Sequence, residues 1–169
     1  MEWKQVIQNP VLRNLPFKIE LNEWGQVVMT PASNKHGYLQ TELGSYLRQN
    51  RSDGKVITEC SVETTKGVKV ADVAWGSDQF FQENGLETPY QQAPEVCVEI
   101  SSPSNTEGEI QEKIGLYLAR GAVEVWVCDE NGVVKFYSYK GELAGSKIFP
   151  NAPQAIEIAV GEGRERERV

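Results

Sequence analysis

An aspartate in one apolar stretch, a glutamate in the next and a lysine beyond them are the residues of this chain best suited to chemistry. Asp72 lies in Val70-Ala71-Asp72-Val73-Ala74-Trp75, Glu99 in Val96-Cys97-Val98-Glu99-Ile100, and Lys113 follows in a helical pattern. An ionised carboxylate in a largely buried strand is costly unless something pairs with it, so the two acids ask for a cation. Mg²⁺ takes hard oxygen ligands from one or two carboxylates and keeps several waters, which suits hydrolysis of a phosphodiester. A lysine beside such a site orients the attacking water or stabilises charge developing on the phosphate.

The surrounding pattern predicts the elements that must position these groups. Phe17-Lys18-Ile19-Glu20-Leu21 alternates, residues 22–25 supply a turn, and Gln26-Val27-Val28-Met29-Thr30 resumes, as in a β-hairpin. Ser33 and Asn34 can cap a helix with apolar positions Leu39, Leu43, Tyr46 and Leu47, which Asn50 and Gly54 end. Strands over 56–62 and 68–75 are joined by a turn at Thr65-Lys66-Gly67. Residues 77–94 read as a connection with one short helical turn. The run 96–100 has the apolar character of a central strand buried on both faces.

Ser104-Asn105-Thr106-Glu107 has the form of a capping box for a helix that buries Ile110, Ile114, Tyr117 and Leu118 and ends at Gly121. Val123 to Cys128 and Val133 to Tyr139 follow as strands joined by a turn. Strand, helix and strand make a βαβ unit with a right-handed crossover, so the strands on either side are expected to be parallel. At about 100° per residue, Lys113 sits roughly 60° from Ile110, on the flank of the buried stripe, from which it can reach back over the sheet. Glu42 has the same angular offset from Leu39 and is a candidate third carboxylate; His36, one turn earlier, can contact substrate or position Glu42.

The same residues have plainer readings. Asp72 and Glu99 can be strand-end residues facing solvent, with Lys113 paired to Glu109 one turn away. Glu42 can be a solvated helix residue, and His36 a residue of the helix cap or core edge. The tryptophans and other aromatics Trp24, Trp75, Phe80, Phe81 and Tyr90 can stack on bases or simply fill the core.

Bulk properties narrow the class. The chain has 169 residues, 40% of them apolar and 24% charged, as expected of one globular domain over 1–160. Its tail, 161–169, alternates charge and is expected to be disordered. The formal charge of −7 argues against tight non-specific binding to nucleic acid, although a local basic surface or a bound metal can offset it. No run approaches the roughly 18 to 20 apolar residues that cross a bilayer, and Met1-Glu2-Trp3-Lys4 lacks the layout of a secretory signal, so a cytoplasmic location and no membrane partner are expected. Three cysteines without Cys-x-x-Cys spacing are expected to be buried free thiols. No G-x-G-x-x-G, P-loop or H-E-x-x-H is present.

Several segments taken together resemble a known family. Glu23-Trp24-Gly25-Gln26-Val27-Val28-Met29-Thr30-Pro31, His36-Gly37, Val70-Ala71-Asp72-Val73-Ala74, Glu99-Ile100-Ser101-Ser102-Pro103-Ser104, Glu112-Lys113, Tyr117-Leu118-Ala119-Arg120-Gly121 and Val125-Trp126-Val127 look like the Uma-two family of bacterial endonucleases. The resemblance runs from about residue 15 to about residue 160. It implies the PD-(D/E)XK restriction-endonuclease-like fold: an α/β (α+β) domain with a mixed central sheet flanked by helices, here preceded by the hairpin.

It also implies Mg²⁺- or Mn²⁺-dependent hydrolysis of DNA, with Asp72 and Glu99 as the motif acids. The lysine usual two residues after the second acid is replaced by Ser101, and Lys113 matches the relocated lysine of the family. Glu42 matches the first-helix acid of the wider fold. Ala71 stands where many relatives have proline, a change in backbone shape rather than in ligands.

The expectation is therefore a metal-dependent endonuclease whose catalytic residues are Asp72, Glu99, Lys113 and Glu42, with Asp72, Glu99 and Glu42 as metal ligands. His36 and Ser101 are candidate substrate contacts. A homodimer is expected for cutting both strands of a duplex. The alternative is a catalytically inactive nuclease-fold module that serves as a scaffold for nucleic acid or protein.

Overall fold

Short strands that alternate or run wholly apolar organise the chain around one mixed sheet. The computed structural model describes residues 1–158; the charged tail expected over 161–169 lies outside them. The elements are α1 (Trp3–Gln8), β1 (Phe17–Leu21), β2 (Val27–Pro31), α2 (Asn34–Gln49), β3 (Lys55–Thr64), β4 (Gly67–Gly76), α3 (Asp78–Asn84), β5 (Val96–Ile100), α4 (Glu107–Ala119), β6 (Glu124–Cys128), β7 (Val134–Ser138) and β8 (Gly141–Leu143). The six later strands form a sheet in the order β3-β4-β5-β6-β7-β8, while β1 and β2 make a separate antiparallel pair.

The expected α/β architecture, a mixed sheet flanked by helices with a preceding hairpin, is the one observed. β5 and β6 are parallel, with Glu99 beside Val127, and every other pair is antiparallel. The crossover between them is α4, as a helical connection of this length requires. Its capping box is set two residues later than expected: Thr106 accepts from the Glu109 amide, and Glu109 returns a bond from the Thr106 amide. The sequence pattern does not predict α1 or β8, each too short to carry a period.

Two apolar layers sandwich the sheet. α4 lays Ile110, Ile114 and Tyr117 against Ala71, Cys97 and Val125, and α2 lays Leu39, Leu43 and Leu47 against Val73, Trp75, Val98 and Trp126. Burying each of these leucines contributes about 1.5–3 kcal/mol. A third cluster joins α1 and the hairpin to the start of β4 through Trp3, Val6, Leu21, Val68 and Val70. All three cysteines are buried free thiols, and no helix among the described residues is long and apolar enough to cross a membrane.

Pairing fails on both sides of Asp72. β3 pairs Thr58 with Val73 and Cys60 with Ala71 but skips Glu59 opposite Asp72; Glu59 adopts a left-handed φ of 53°, unusual for a residue with a side chain. On the other side, β4 pairs with β5 only from Val73 onward, so the strands splay at Asp72 and Glu99. β1 fills that gap: Glu20 accepts from the Val70 amide at 2.8 Å, and Lys69 reaches the Leu21 carbonyl at 3.4 Å. Gly67, at φ +85°, permits the close approach, since a Cβ there would collide with the Leu21 and Asn22 backbone.

Candidate active site

The splay between β4 and β5 frees side chains from the sheet and lets a charged cluster assemble. Asp72 is wholly buried and Glu99 is 3% exposed, burial that neither acid tolerates without partners. Lys18 of β1 inserts its ammonium between them, 2.9 Å from Asp72 Oδ1 and 3.2 Å from Glu99 Oε2. Lys113 reaches back from α4 to the same Glu99 Oε2 at 3.2 Å and to Glu20 Oε1 at 2.8 Å. The remaining carboxylate oxygens are held as well: the Ile100 amide donates to Asp72 Oδ2 at 2.7 Å, and the Tyr117 hydroxyl to Glu99 Oε1 at 2.6 Å.

α2 closes the other side. His36 Nε2 lies 3.1 Å from Asp72 Oδ1. Gln40, one turn on, donates at 2.8 Å to the Asp72 carbonyl and at 2.8 Å to Glu59 Oε1, so it takes up the carbonyl beside the interrupted β3–β4 pairing. A cleft of about 520 Å³ opens onto the cluster, lined by Lys18, His36, Glu99, Ser101 and Lys113 among others.

These contacts separate the protonation of the groups. Burial works to raise the Asp72 carboxyl, but Lys18, His36 and the Ile100 amide outweigh it and hold it at about 2. Burial, with the charges of Asp72 and Glu20, lifts Glu99 above the ordinary carboxylate range against the pull of Lys113 and Lys18. Burial opposes the charge on both lysines, yet the acids around them keep Lys18 and Lys113 above the ordinary lysine value. Both are therefore ammonium ions at neutral pH. They can stabilise anionic charge but not take a proton from water.

His36 carries a testable consequence. The hydrogen bond to Asp72 raises its pKa above the ordinary value, against the effect of burial. A histidine whose folded-state value is raised contributes stability that is fully present below its unfolded value and is lost as pH rises through the folded one. His36 is the only histidine of the sequence, so its imidazole resonances can be titrated without ambiguity. The expected midpoint lies above about 6.5 and falls in Asp72→Asn; an unshifted midpoint in the wild type would contradict the Asp72 contact.

Of the residues singled out from the sequence, Asp72, Glu99, Lys113 and His36 are brought together, and Ser101 lines the cleft while its amide donates to the Cys128 carbonyl. Glu42 is not brought to the site and is exposed. Its offset from the Leu39 stripe is of the expected size but of the opposite hand: His36 and Gln40 occupy the flank of α2 that faces Asp72, and Glu42 lies on the other flank. His36 accordingly contacts Asp72 rather than Glu42.

Lys18, Glu20, Gln40 and Tyr117 join the cluster without being singled out by the sequence pattern. For Lys18 and Glu20 a signal existed, since opposite charges at i and i+2 of an alternating strand share one face. Nothing in the sequence showed which strand that face would meet.

Comparison with known proteins agrees with this architecture. A family model described as "Uma2: Putative restriction endonuclease" matches residues 3–161. A crystal structure from Anabaena variabilis ATCC 29413, described as a putative nuclease belonging to DUF820, superposes with a TM-score of 0.65 at 18% identity. The match covers 78% of this chain and 83% of that one, and at this identity it speaks to the fold. No curated protein matches.

Proposed function

The chain belongs to the Uma2 restriction endonuclease family, and from that premise we propose that it is a single-domain, divalent-metal-dependent endonuclease that hydrolyses DNA phosphodiester bonds. One observation carries the reading: two buried acids from splayed neighbouring strands converge on a single ammonium at the floor of an open cleft. That ammonium stands in for a cation, and paired carboxylate oxygens are the donor set that Mg²⁺ or Mn²⁺ takes. Asp72 and Glu99 would hold the ion, which would polarise the phosphate and make a bound water a better nucleophile.

The chain's own residues supply the rest. Lys113, tethered by Glu20, directs a fixed positive charge at the cleft, where it stabilises the anionic phosphate in the transition state. Tyr117 and the Ile100 amide fix the far oxygens of the two acids, so that the near ones are left to Lys18 and the groups around it. His36 and Ser101 line the cleft as contacts for substrate. Arg48, Arg51 and Lys55 line a second groove of about 530 Å³ along the later turns of α2, where Asp53 pairs with Arg51. The positive surplus there offsets part of the net negative charge for a polyanionic substrate. A homodimer would present two such sites to the strands of a duplex.

A second reading is favoured by one observation: Lys18 already bridges both acids, as it would in an inactive nuclease-fold scaffold. Supercoiled plasmid separates the two. The endonuclease nicks or linearises it with Mg²⁺ or Mn²⁺ and stops when the ion is chelated; an intact plasmid across a range of both ions leaves the scaffold.

A further inference from the structure

Lys18 is the member of the cluster that lies between the acids. Of the four carboxylate oxygens on Asp72 and Glu99, Asp72 Oδ2 is held by the Ile100 amide and Glu99 Oε1 by the Tyr117 hydroxyl. The other two, Asp72 Oδ1 and Glu99 Oε2, are bridged by Lys18, with His36 also on the first and Lys113 also on the second. A divalent ion taking those same oxygens at the roughly 2.1 Å of Mg²⁺ ligation would share its space with the ammonium and repel it.

The two lysines differ in how they are anchored. Lys113 is bound by Glu20 as well as Glu99, at 2.8 and 3.2 Å, so it keeps a partner if Glu99 turns to another cation. Among the described residues, the ammonium contacts of Lys18 are to Asp72 and Glu99 alone. Its side chain is 12% exposed and lines the cleft, and its flexible four-carbon stem gives the ammonium a way out.

We propose that Lys18 is a resident cation: it holds Asp72 and Glu99 together, yields its place to the incoming divalent ion, and then presents its ammonium to the phosphate in the cleft. The inference rests on the nuclease reading for the identity of that phosphate, but the exchange of cations is a property of the acid pair itself. It makes metal and substrate mutually supportive, because a phosphate gives the displaced ammonium a new partner. It also assigns to the hairpin a direct role in metal binding.

Mn²⁺ binding to the full chain without DNA, read by calorimetry or by the spin-resonance signal of the free ion, tests the exchange. Lys18→Met keeps the length of the side chain and removes the charge. It is expected to bind Mn²⁺ at least about tenfold more tightly than wild type, since the cation that bridges the two acids no longer has to be expelled. Without Mn²⁺ it is expected to melt at a lower temperature, and its gain in melting temperature on adding Mn²⁺ to exceed that of wild type. Lys18→Arg, which keeps a cation between the acids, is expected to show no such tightening.

Equal or weaker Mn²⁺ binding by Lys18→Met, or no binding by either protein, overturns the proposal. A wild-type measurement covers the case in which the variant fails to fold. Labelling of Lys18 by an amine-reactive reagent, followed by mass spectrometry, is expected to accelerate with Mn²⁺, and an unchanged rate overturns the proposal. The two readings fail separately: tightened Mn²⁺ binding without plasmid cutting removes the nuclease and keeps the exchange, whereas cutting with unchanged Mn²⁺ binding does the reverse.

Discussion

Replacing Asp72 by asparagine is expected to lower divalent-ion-dependent DNA cutting by at least about 10³-fold, roughly 4 kcal/mol in the barrier. The side chain is buried and held ionised, with one oxygen on the Ile100 amide and the other facing Lys18 and His36. Asparagine preserves the volume and can still accept from Ile100. It then has to point its amide NH₂ at an ammonium, so the anionic oxygen available to a metal is gone while the packing stays. Circular dichroism should show a folded protein, which separates lost charge from lost structure. Cutting at the wild-type rate by a folded Asp72→Asn would remove Asp72 from the proposed metal site.

The largest effect on stability is expected at Glu124. This acid is 1% exposed at the start of β6, and no ammonium pairs with it among the described residues. Its carboxylate instead accepts from Trp126 Nε1 at 2.9 Å, Ser146 Oγ at 2.6 Å, and the Lys147 and Ile148 amides at 2.7 and 3.2 Å. Ser146 Oγ in turn accepts from the Phe149 amide at 2.9 Å, and the Phe149 ring packs edge-on against Trp75 and Trp126. Glu124→Ala strands several donors at once, each costing about 1–3 kcal/mol when left buried and unpaired. We expect a loss of about 3–5 kcal/mol in urea unfolding and a fall in melting temperature of roughly 10 °C. A loss below about 1 kcal/mol would mean that the segment rearranges to satisfy those donors.

Glu124 also shows what the sequence can and cannot say about the site. An acid inside an apolar strand marks Asp72 and Glu99, but Val123-Glu124-Val125-Trp126 carries the same signal. What differs is the partner: backbone amides and a serine for Glu124, lysine ammonium groups and an open cleft for the other two. Partners of that kind arrive from distant parts of the chain, so the strand itself does not encode them.

Hairpins and helices were legible because their periods of 2 and 3.6 are written into side-chain order, and the placement of Lys113 followed from the second of these. The position of Glu42 shows the limit of the same argument. An angular offset from a buried stripe leaves two flanks, and only the packing of α2 on the sheet decides which one meets Asp72. Lys18 and Glu20 were hidden for a related reason: β1 belongs to a separate two-stranded sheet, and its neighbour is set by where β4 and β5 part.

The left-handed residue at Glu59 has a consequence away from the cluster. β3 is the terminal strand of its sheet and runs for ten residues, long enough to template pairing with another molecule. A reversal of φ near its middle interrupts the regular extended backbone of that outer rim without changing its register on β4, and Tyr90 covers part of the remainder through backbone bonds to Ser61 and Glu63. The distortion beside the Asp72 carbonyl, which Gln40 takes up, thus also guards the molecule against edge-to-edge aggregation.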